Sequence, residues 1–249
     1  MDIIEFLTEY YKDAPRQGPG SPETTRQAFS FLPPLDDAAR ILDIGCGTGA
    51  QTLELARLSP ARIVAVDRLE PFLKVLREKV NREGLGHRII PQEGDMEALR
   101  FPGEYFDVIW SEGAIYNMGF RRGLAAWSAF LKPGGYLAVS EITWLTPDRP
   151  DEVRKYWEAS YGEMDTLQGK LTVVRECGLE PVGHFILPPE CWIQNYYEPA
   201  GERIQEFIRR YGNDPEVRKY ILEERREADF YSRFGQYYGY VFYICRKPE

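Results

Sequence analysis

The sequence predicts an α/β fold in which helices cover both faces of a parallel sheet. Three observations carry that expectation. Apolar strand-like runs alternate with helical patterns from about residue 40 to 141, and such alternation buries a sheet on both faces. The first run, Ile41-Leu42-Asp43-Ile44, leads straight into Gly45-Cys46-Gly47-Thr48-Gly49-Ala50 and a helical pattern. Glycine at such a strand–turn–helix junction lets the backbone turn sharply and come close to a ligand. Finally, 249 residues with 43% hydrophobic and 28% charged side chains match a folded globular chain large enough for one α/β domain, with or without a cap.

The elements follow in order. Residues 3–12 form a short helix with Ile3, Ile4, Phe6, Leu7 and Tyr10 on one side, followed by a Pro/Gly-rich arm over 14–20. Ser21-Pro22-Glu23 combines a cap, a first-turn proline and an acid at the positive end of the helix dipole, and Pro33-Pro34 stops that helix. Strands are expected at about 40–44, 62–66, 88–91, 105–110 and 136–141. Between them, Pro71 opens a helix with Phe72, Val75, Leu76 and Val80 on its apolar face and Gly84 at its end. Another carries Leu124, Trp127, Phe130 and Leu131 ahead of a turn at Lys132-Pro133-Gly134-Gly135.

Beyond residue 145 the pattern changes. Helices are expected over 151–160 and 165–177, the second with Leu167, Leu171, Val174 and Cys177 inward and Gly178 as its cap. A strand near 181–187 ends at Pro188-Pro189. Residues 190–232 are aromatic and helical, with the longest helix starting at Asp214-Pro215-Glu216, and a Tyr- and Val-rich strand closes the chain at 236–245. The expected organisation is a single domain over 1–249, with an N-terminal helical arm (1–34) and a helical insertion (190–232) as a cap.

Charge and cysteine usage narrow the partners. The net charge of −8 lowers the expectation of nucleic-acid binding, which depends on phosphate neutralisation by Lys and Arg. Met1-Asp2-Ile3-Ile4-Glu5 has acids where a signal peptide has bases, and no run reaches the roughly 18 apolar residues of a membrane span. Cys46, Cys177, Cys191 and Cys245 form no CxxC, and with only His87 and His184 in the chain no metal-ligand spacing arises. Reduced thiols in a cytoplasmic protein without a metal are the expectation; the oligomeric state is open.

The glycine turn calls for a nucleotide-like ligand, whose anionic part would meet the free N–H groups of the opening helix. A P-loop needs a lysine that is absent. A dinucleotide fold wants GxGxxG, whereas the glycines here alternate, with Asp43 ahead of them. Asp67 ends the second run twenty residues after Gly47, where a carboxylate can accept two hydrogen bonds from a ribose diol.

Asp43-x-Gly45-x-Gly47-x-Gly49 resembles the first motif of class I S-adenosylmethionine (SAM)-dependent methyltransferases. The likeness continues through Val64-Ala65-Val66-Asp67, Gly94-Asp95-Met96, Phe106-Asp107-Val108-Ile109-Trp110-Ser111 and Leu131-Lys132-Pro133-Gly134-Gly135-Tyr136-Leu137. It implies a Rossmann-like sheet of seven strands with the last antiparallel, and SAM as cofactor. It also implies a cofactor site of Asp43, Gly45, Cys46, Gly47, Gly49, Asp67, Arg68, Asp95, Met96 and Ser111, in which Asp95 meets the adenine amino group and Met96 packs on the ring. Arg68 departs from the smaller or apolar residue of many relatives, but its aliphatic stem can still flank the base. The stretches 16–21 and 110–117 resemble a bacterial branch of small-molecule methyltransferases with a ubiquinone/menaquinone-type label. The Arg16-Gln17-Gly18 arm is accordingly expected over the cofactor's carboxylate.

The expected activity is in-line methyl transfer to a small-molecule acceptor. Glu112 and Tyr116, past the fourth strand, are the candidate catalytic residues, and Asn117, Trp144, Trp192, Tyr196 and Tyr197 the candidate substrate contacts, the aromatics forming a lid. Glu223-Glu224-Arg225-Arg226-Glu227 reads as a solvated helix face, Asp107 as a structural hydrogen-bonding residue and His184 as a packing or hydrogen-bonding one. Two alternatives stay open: a SAM-binding protein without turnover, and a nicotinamide-dependent oxidoreductase, for which the glycine pattern is wrong.

Overall fold

The computed structural model describes residues 3–249. Met1 and Asp2, and the reading made on them, lie outside the described residues, as does the side chain of Ile3. The first helix, α1, spans Ile3–Tyr11, and α2 spans Pro22–Phe29 behind a capping box in which Ser21 Oγ accepts from Thr24 N. There follow β1 (Arg40–Ile44), α3 (Ala50–Leu58), β2 (Arg62–Asp67), α4 (Glu70–Arg82), β3 (Ile89–Glu93), β4 (Phe106–Ser111), α5 (Phe120–Trp127), β5 (Leu131–Trp144), α6 (Asp151–Ser160), α7 (Leu167–Glu176) and β6 (Glu180–Ile186). A short α8 (Glu190–Trp192) passes through a π-helical turn at Ile193–Tyr197 into α9 (Glu198–Tyr211), then come α10 (Pro215–Phe234) and β7 (Tyr238–Arg246).

The seven strands form one sheet in the order β3-β2-β1-β4-β5-β7-β6. Only β7 runs antiparallel, pairing with β5 on one side and β6 on the other. This is the Rossmann-like sheet of seven strands, the last antiparallel, that the resemblance implies. The order reverses beside β1, between β2 and β4, so a crevice opens outside the carboxyl ends of these strands, where open α/β sheets bind ligands.

Alternate residues of the strands feed separate cores. Ile41, Ile63 and Trp110 pack in one apolar cluster, Leu42, Ile44 and Ile109 in another on the opposite face. A third cluster joins α1, α9 and α10: Phe6, Tyr10, Ile204, Phe207, Val217 and Ile221, with Phe72 of α4. The arm and the late helices thus share a core, next to the sheet.

Several expectations shift in detail. β5 is longer than expected because its second half pairs with β7 from Tyr136↔Arg246 to Trp144↔Tyr238. The Lys132–Gly135 stretch lies inside its bounds, as a break in register between Phe106↔Leu131 and Val108↔Tyr136. α5 stops at Trp127, so Leu131 enters the sheet. On α4, Leu73 is buried where Val75 was expected to be, and Val75 is half-buried. α2 ends at Phe29, short of Pro33. His184, on the edge strand β6, is exposed. All four cysteines are free thiols. Among the described residues no helix is long and apolar enough to cross a membrane.

Candidate functional site

The glycine turn sits at the carboxyl end of β1. Gly45, Gly47 and Gly49 all have left-handed φ, at +73°, +54° and +86°, a region that side chains rarely adopt. Each also faces a close neighbour. A Cβ on Gly45 would lie 2.5 Å from Ala114 Cβ, one on Gly47 would overlap the Gln17 amide oxygen, and one on Gly49 would overlap Leu76 of α4. Gly45 and Gly47 therefore let the backbone form a cavity wall, while Gly49 seats α3 against α4. Replacing Gly45 by Ala should destabilise the fold by about 2 kcal/mol, from φ strain plus the overlap, and weaken ligand binding. Thermal unfolding with and without S-adenosylhomocysteine checks both effects.

A cavity of about 900 Å³ opens here, near the upper end of the roughly 300–1,000 Å³ usual for ligand sites. Its sheet side is made by Gly45, Cys46, Gly47, Asp67, Arg68, Asp95, Met96 and Glu112. Asp67 holds this side together: its Oδ2 accepts from Gly47 N at 2.8 Å and its Oδ1 from Leu69 N at 2.9 Å. Burial still raises its pKa above the ordinary value. Asp95 is exposed in the wall, with Oδ1 accepting from Glu97 N at 2.9 Å.

Asp43 does not reach the cavity. It is fully buried behind the turn, accepting from Thr52 Oγ1 at 2.5 Å and from Gln51 Nε2 at 3.3 Å. It braces the first turn of α3 through side chains, so its role is to hold the junction, not to touch ligand. Burial pushes its pKa up to about 7. Because this folded value exceeds the unfolded one near 4, the folded state holds an extra proton between the two. Stability should therefore fall as pH rises from about 4 to about 7. Asp43→Asn should flatten that part of the profile, as chemical denaturation at pH 4.5 and 7.5 would read.

The arm folds over the turn. Gln17 Oε1 accepts from Thr48 N at 3.1 Å, while its Nε2 donates to Thr48 Oγ1 at 3.0 Å and to the Tyr11 carbonyl at 3.2 Å. Arg16 is ion-paired to Glu112. The Glu112 side chain, only 3% exposed, also accepts from Thr25 Oγ1 at 2.7 Å and Trp110 Nε1 at 2.9 Å. With both oxygens engaged and a cation beside it, this carboxylate suits a clamp that fixes the arm and α2 rather than a general base. Tyr116 and Asn117 do line the cavity, Tyr116 with 42% of its surface exposed.

The candidate substrate contacts divide. Tyr196 lines the cavity. Trp192 does not: it is buried in a stack between Tyr231 (4.6 Å) and Tyr240 (5.0 Å). Trp144 is buried at the end of β5 under the Arg149 guanidinium at 4.3 Å, and Ser111 is buried at the end of β4; neither is in the cavity wall. Tyr197 stands behind the wall and donates to Glu227 at 2.9 Å.

The helical wall contains residues that sequence reasoning missed. Tyr11 of α1 and Tyr220, Glu224 and Glu227 of α10 line the cavity. The run 223–227 is therefore not a uniformly solvated face: Glu223, Arg225 and Arg226 are exposed, but Glu224 and Glu227 turn inward. The helical spacing of Tyr220, Glu224, Glu227 and Tyr231 was the available signal.

Comparisons with known proteins fit this geometry. Residues 41–135 match the family described as "Methyltransferase domain". Demethylmenaquinone methyltransferase of Bacteroides fragilis is 35% identical over 126 residues, covering 50% of each chain, so the match spans about half the length of that relative. The 27-O-demethylrifamycin SV methyltransferase of Amycolatopsis mediterranei is 26% identical over 239 residues, covering 87% of this chain and 80% of the relative. Among solved structures, a SAM-dependent methyltransferase from Geobacter sulfurreducens in complex with S-adenosylhomocysteine superposes with a TM-score of 0.82 at 18% identity, over 98% of each chain. The matched segment, the reversed last strand and the glycine turn agree: residues 41–135 are a methyltransferase domain, and the chain has the fold of the SAM-dependent methyltransferase it superposes on.

Proposed function

We propose that the chain transfers the methyl group of SAM to a small-molecule acceptor held in the same cavity. The observation that carries this reading is the cavity itself, which joins the glycine turn and Asp67 on one wall to a tyrosine-rich helical wall on the other. The residues fit the cofactor: Gly45 and Gly47, in left-handed backbone packed against Ala114 and Gln17, put bare main chain in the cavity wall, and the Asp67 carboxylate retains acceptor capacity beyond its two backbone bonds. In this reading Asp67 holds the ribose, Asp95 and Met96 the adenine with Arg68 beside it, and the arm of Arg16, Gln17 and Gly18 covers the methionine end.

When bound, SAM supplies a methyl group already activated by its sulfonium. The protein's part is to align the acceptor and exclude water, and alignment alone can lower the barrier by several kcal/mol. Tyr116, Asn117 and Tyr196 are placed to contact the acceptor. Glu112 positions the arm instead of taking a proton. The whole chain, 1–249, acts as one domain whose arm (1–34) and insertion (190–232) cap the site. Incubation with labelled SAM and a panel of small amines, phenols, thiols and carbon acids tests the proposal through release of S-adenosylhomocysteine. Release that depends on an acceptor supports it. Cofactor binding without turnover on any class would favour a binding protein instead.

A further inference from the structure

Glu224 and Glu227 stand one helical turn apart on α10, and both contribute to the cavity wall. Among the described residues neither makes an ion pair. Their contacts are phenolic: Glu224 Oε1 accepts from Tyr220 at 3.0 Å and Tyr11 at 3.4 Å, and Glu227 Oε1 accepts from Tyr197 at 2.9 Å. The wall cations Arg16 and Arg68 belong to the arm and the strand ends, and Arg16 is already paired with Glu112. Two neighbouring carboxylates in a partly dry cavity repel each other and lose hydration unless a cation joins them. Tyr11, Tyr196 and Tyr220 add aromatic faces, which attract cations through their quadrupoles.

We propose that the methyl acceptor is a small organic amine, bound as its ammonium by Glu224 and Glu227 within this tyrosine-lined wall, with Glu224 taking the proton that frees the nitrogen to react. This inference rests on the methyl-transfer reading above. The step balances. The ammonium N–H proton passes to the Glu224 carboxylate, and the freed nitrogen lone pair forms the N–CH₃ bond. The C–S bond breaks with its electron pair left on sulfur, and the methylated ammonium departs with its positive charge. A carboxylate suits the proton transfer only if its pKa is near neutrality. Burial, with Glu227 second, raises that of Glu224 to about 7. The groups that set it are Tyr11 of α1, Arg203 of α9, and Tyr220 and Glu227 of α10.

Calorimetric titration of the full chain without SAM tests recognition directly. Benzylammonium should bind and its neutral isostere benzyl alcohol should not. Glu224→Gln and Glu227→Gln should each weaken benzylammonium by about tenfold or more, with S-adenosylhomocysteine affinity unchanged as the check on folding. Equal binding of amine and alcohol, no amine binding, or amine affinity unaltered by both substitutions would overturn the inference. So would a selective loss of SAM affinity relative to S-adenosylhomocysteine, since the carboxylates would then serve the cofactor's own sulfonium. Failure of wild-type protein to bind S-adenosylhomocysteine would instead bring down the methyl-transfer reading.

Discussion

Asp67→Ala should weaken SAM and S-adenosylhomocysteine by about two to four powers of ten. A carboxylate that accepts both hydroxyls of a ribose makes two charge-assisted bonds, each worth about 1.5–3 kcal/mol. The same side chain ties Gly47 N and Leu69 N together, so its loss also loosens the turn that shapes the wall. Asp67→Asn separates the two contributions. It keeps an acceptor oxygen for one backbone N–H but sets its NH2 against the other and lacks the charge, so it should bind with intermediate affinity and lose less thermal stability than Asp67→Ala. Titration calorimetry reads the first effect and thermal unfolding the second. Ligand affinity unchanged in Asp67→Ala would remove this residue from the cofactor site.

Lys170→Met should cost about 3–5 kcal/mol of stability, the range seen when one member of a buried ion pair is removed. Lys170 and Glu141 are 2% and 0% exposed and lie 2.7 Å apart. Tyr161 donates to the same Glu141 oxygen at 2.7 Å, and the ammonium sits 4.6 Å from the Phe120 ring centre. Without the lysine, Glu141 keeps its charge in a dry site, where burial already raises its pKa. The deficit should be complete at neutral pH. It should shrink as pH falls toward the ordinary carboxylate range, because a protonated Glu141 no longer needs a cation. Adding Glu141→Gln should recover most of the loss at pH 7. Denaturation of the single and double variants at pH 5 and 7.5 measures this directly, and equal losses in both would contradict the pairing. The network also bears on the site, since Tyr161 packs edge-on against Tyr116 at 6.3 Å.

The glycine-turn wall was legible in the sequence because its constraints are local. A left-handed turn requires glycine within a few residues of a strand end, and Asp67 must end the neighbouring strand. Asp43 belonged to the same motif, yet its work is behind the turn, because a buried strand residue faces the helix that covers it. The helical wall was less legible. Glu224 and Glu227 stand in a run of alternating charge that resembles solvated helix surface, and only the packing of α10 against α1 and α9 turns them inward. Trp192 shows the converse error. A large aromatic near a cavity looks like lining, but its stacking between Tyr231 and Tyr240 places it in the core. The length of β5 depended on β7, a partner about a hundred residues away that no local pattern specifies.

The central claim is that the cavity beside Gly45, Gly47 and Asp67 holds SAM. Calorimetric titration of the wild-type chain with SAM, S-adenosylhomocysteine and NAD tests it most directly. Saturable one-to-one binding of the first two, with no heat from NAD, is the predicted result. No heat from either SAM or S-adenosylhomocysteine, or binding of NAD alone, would contradict it.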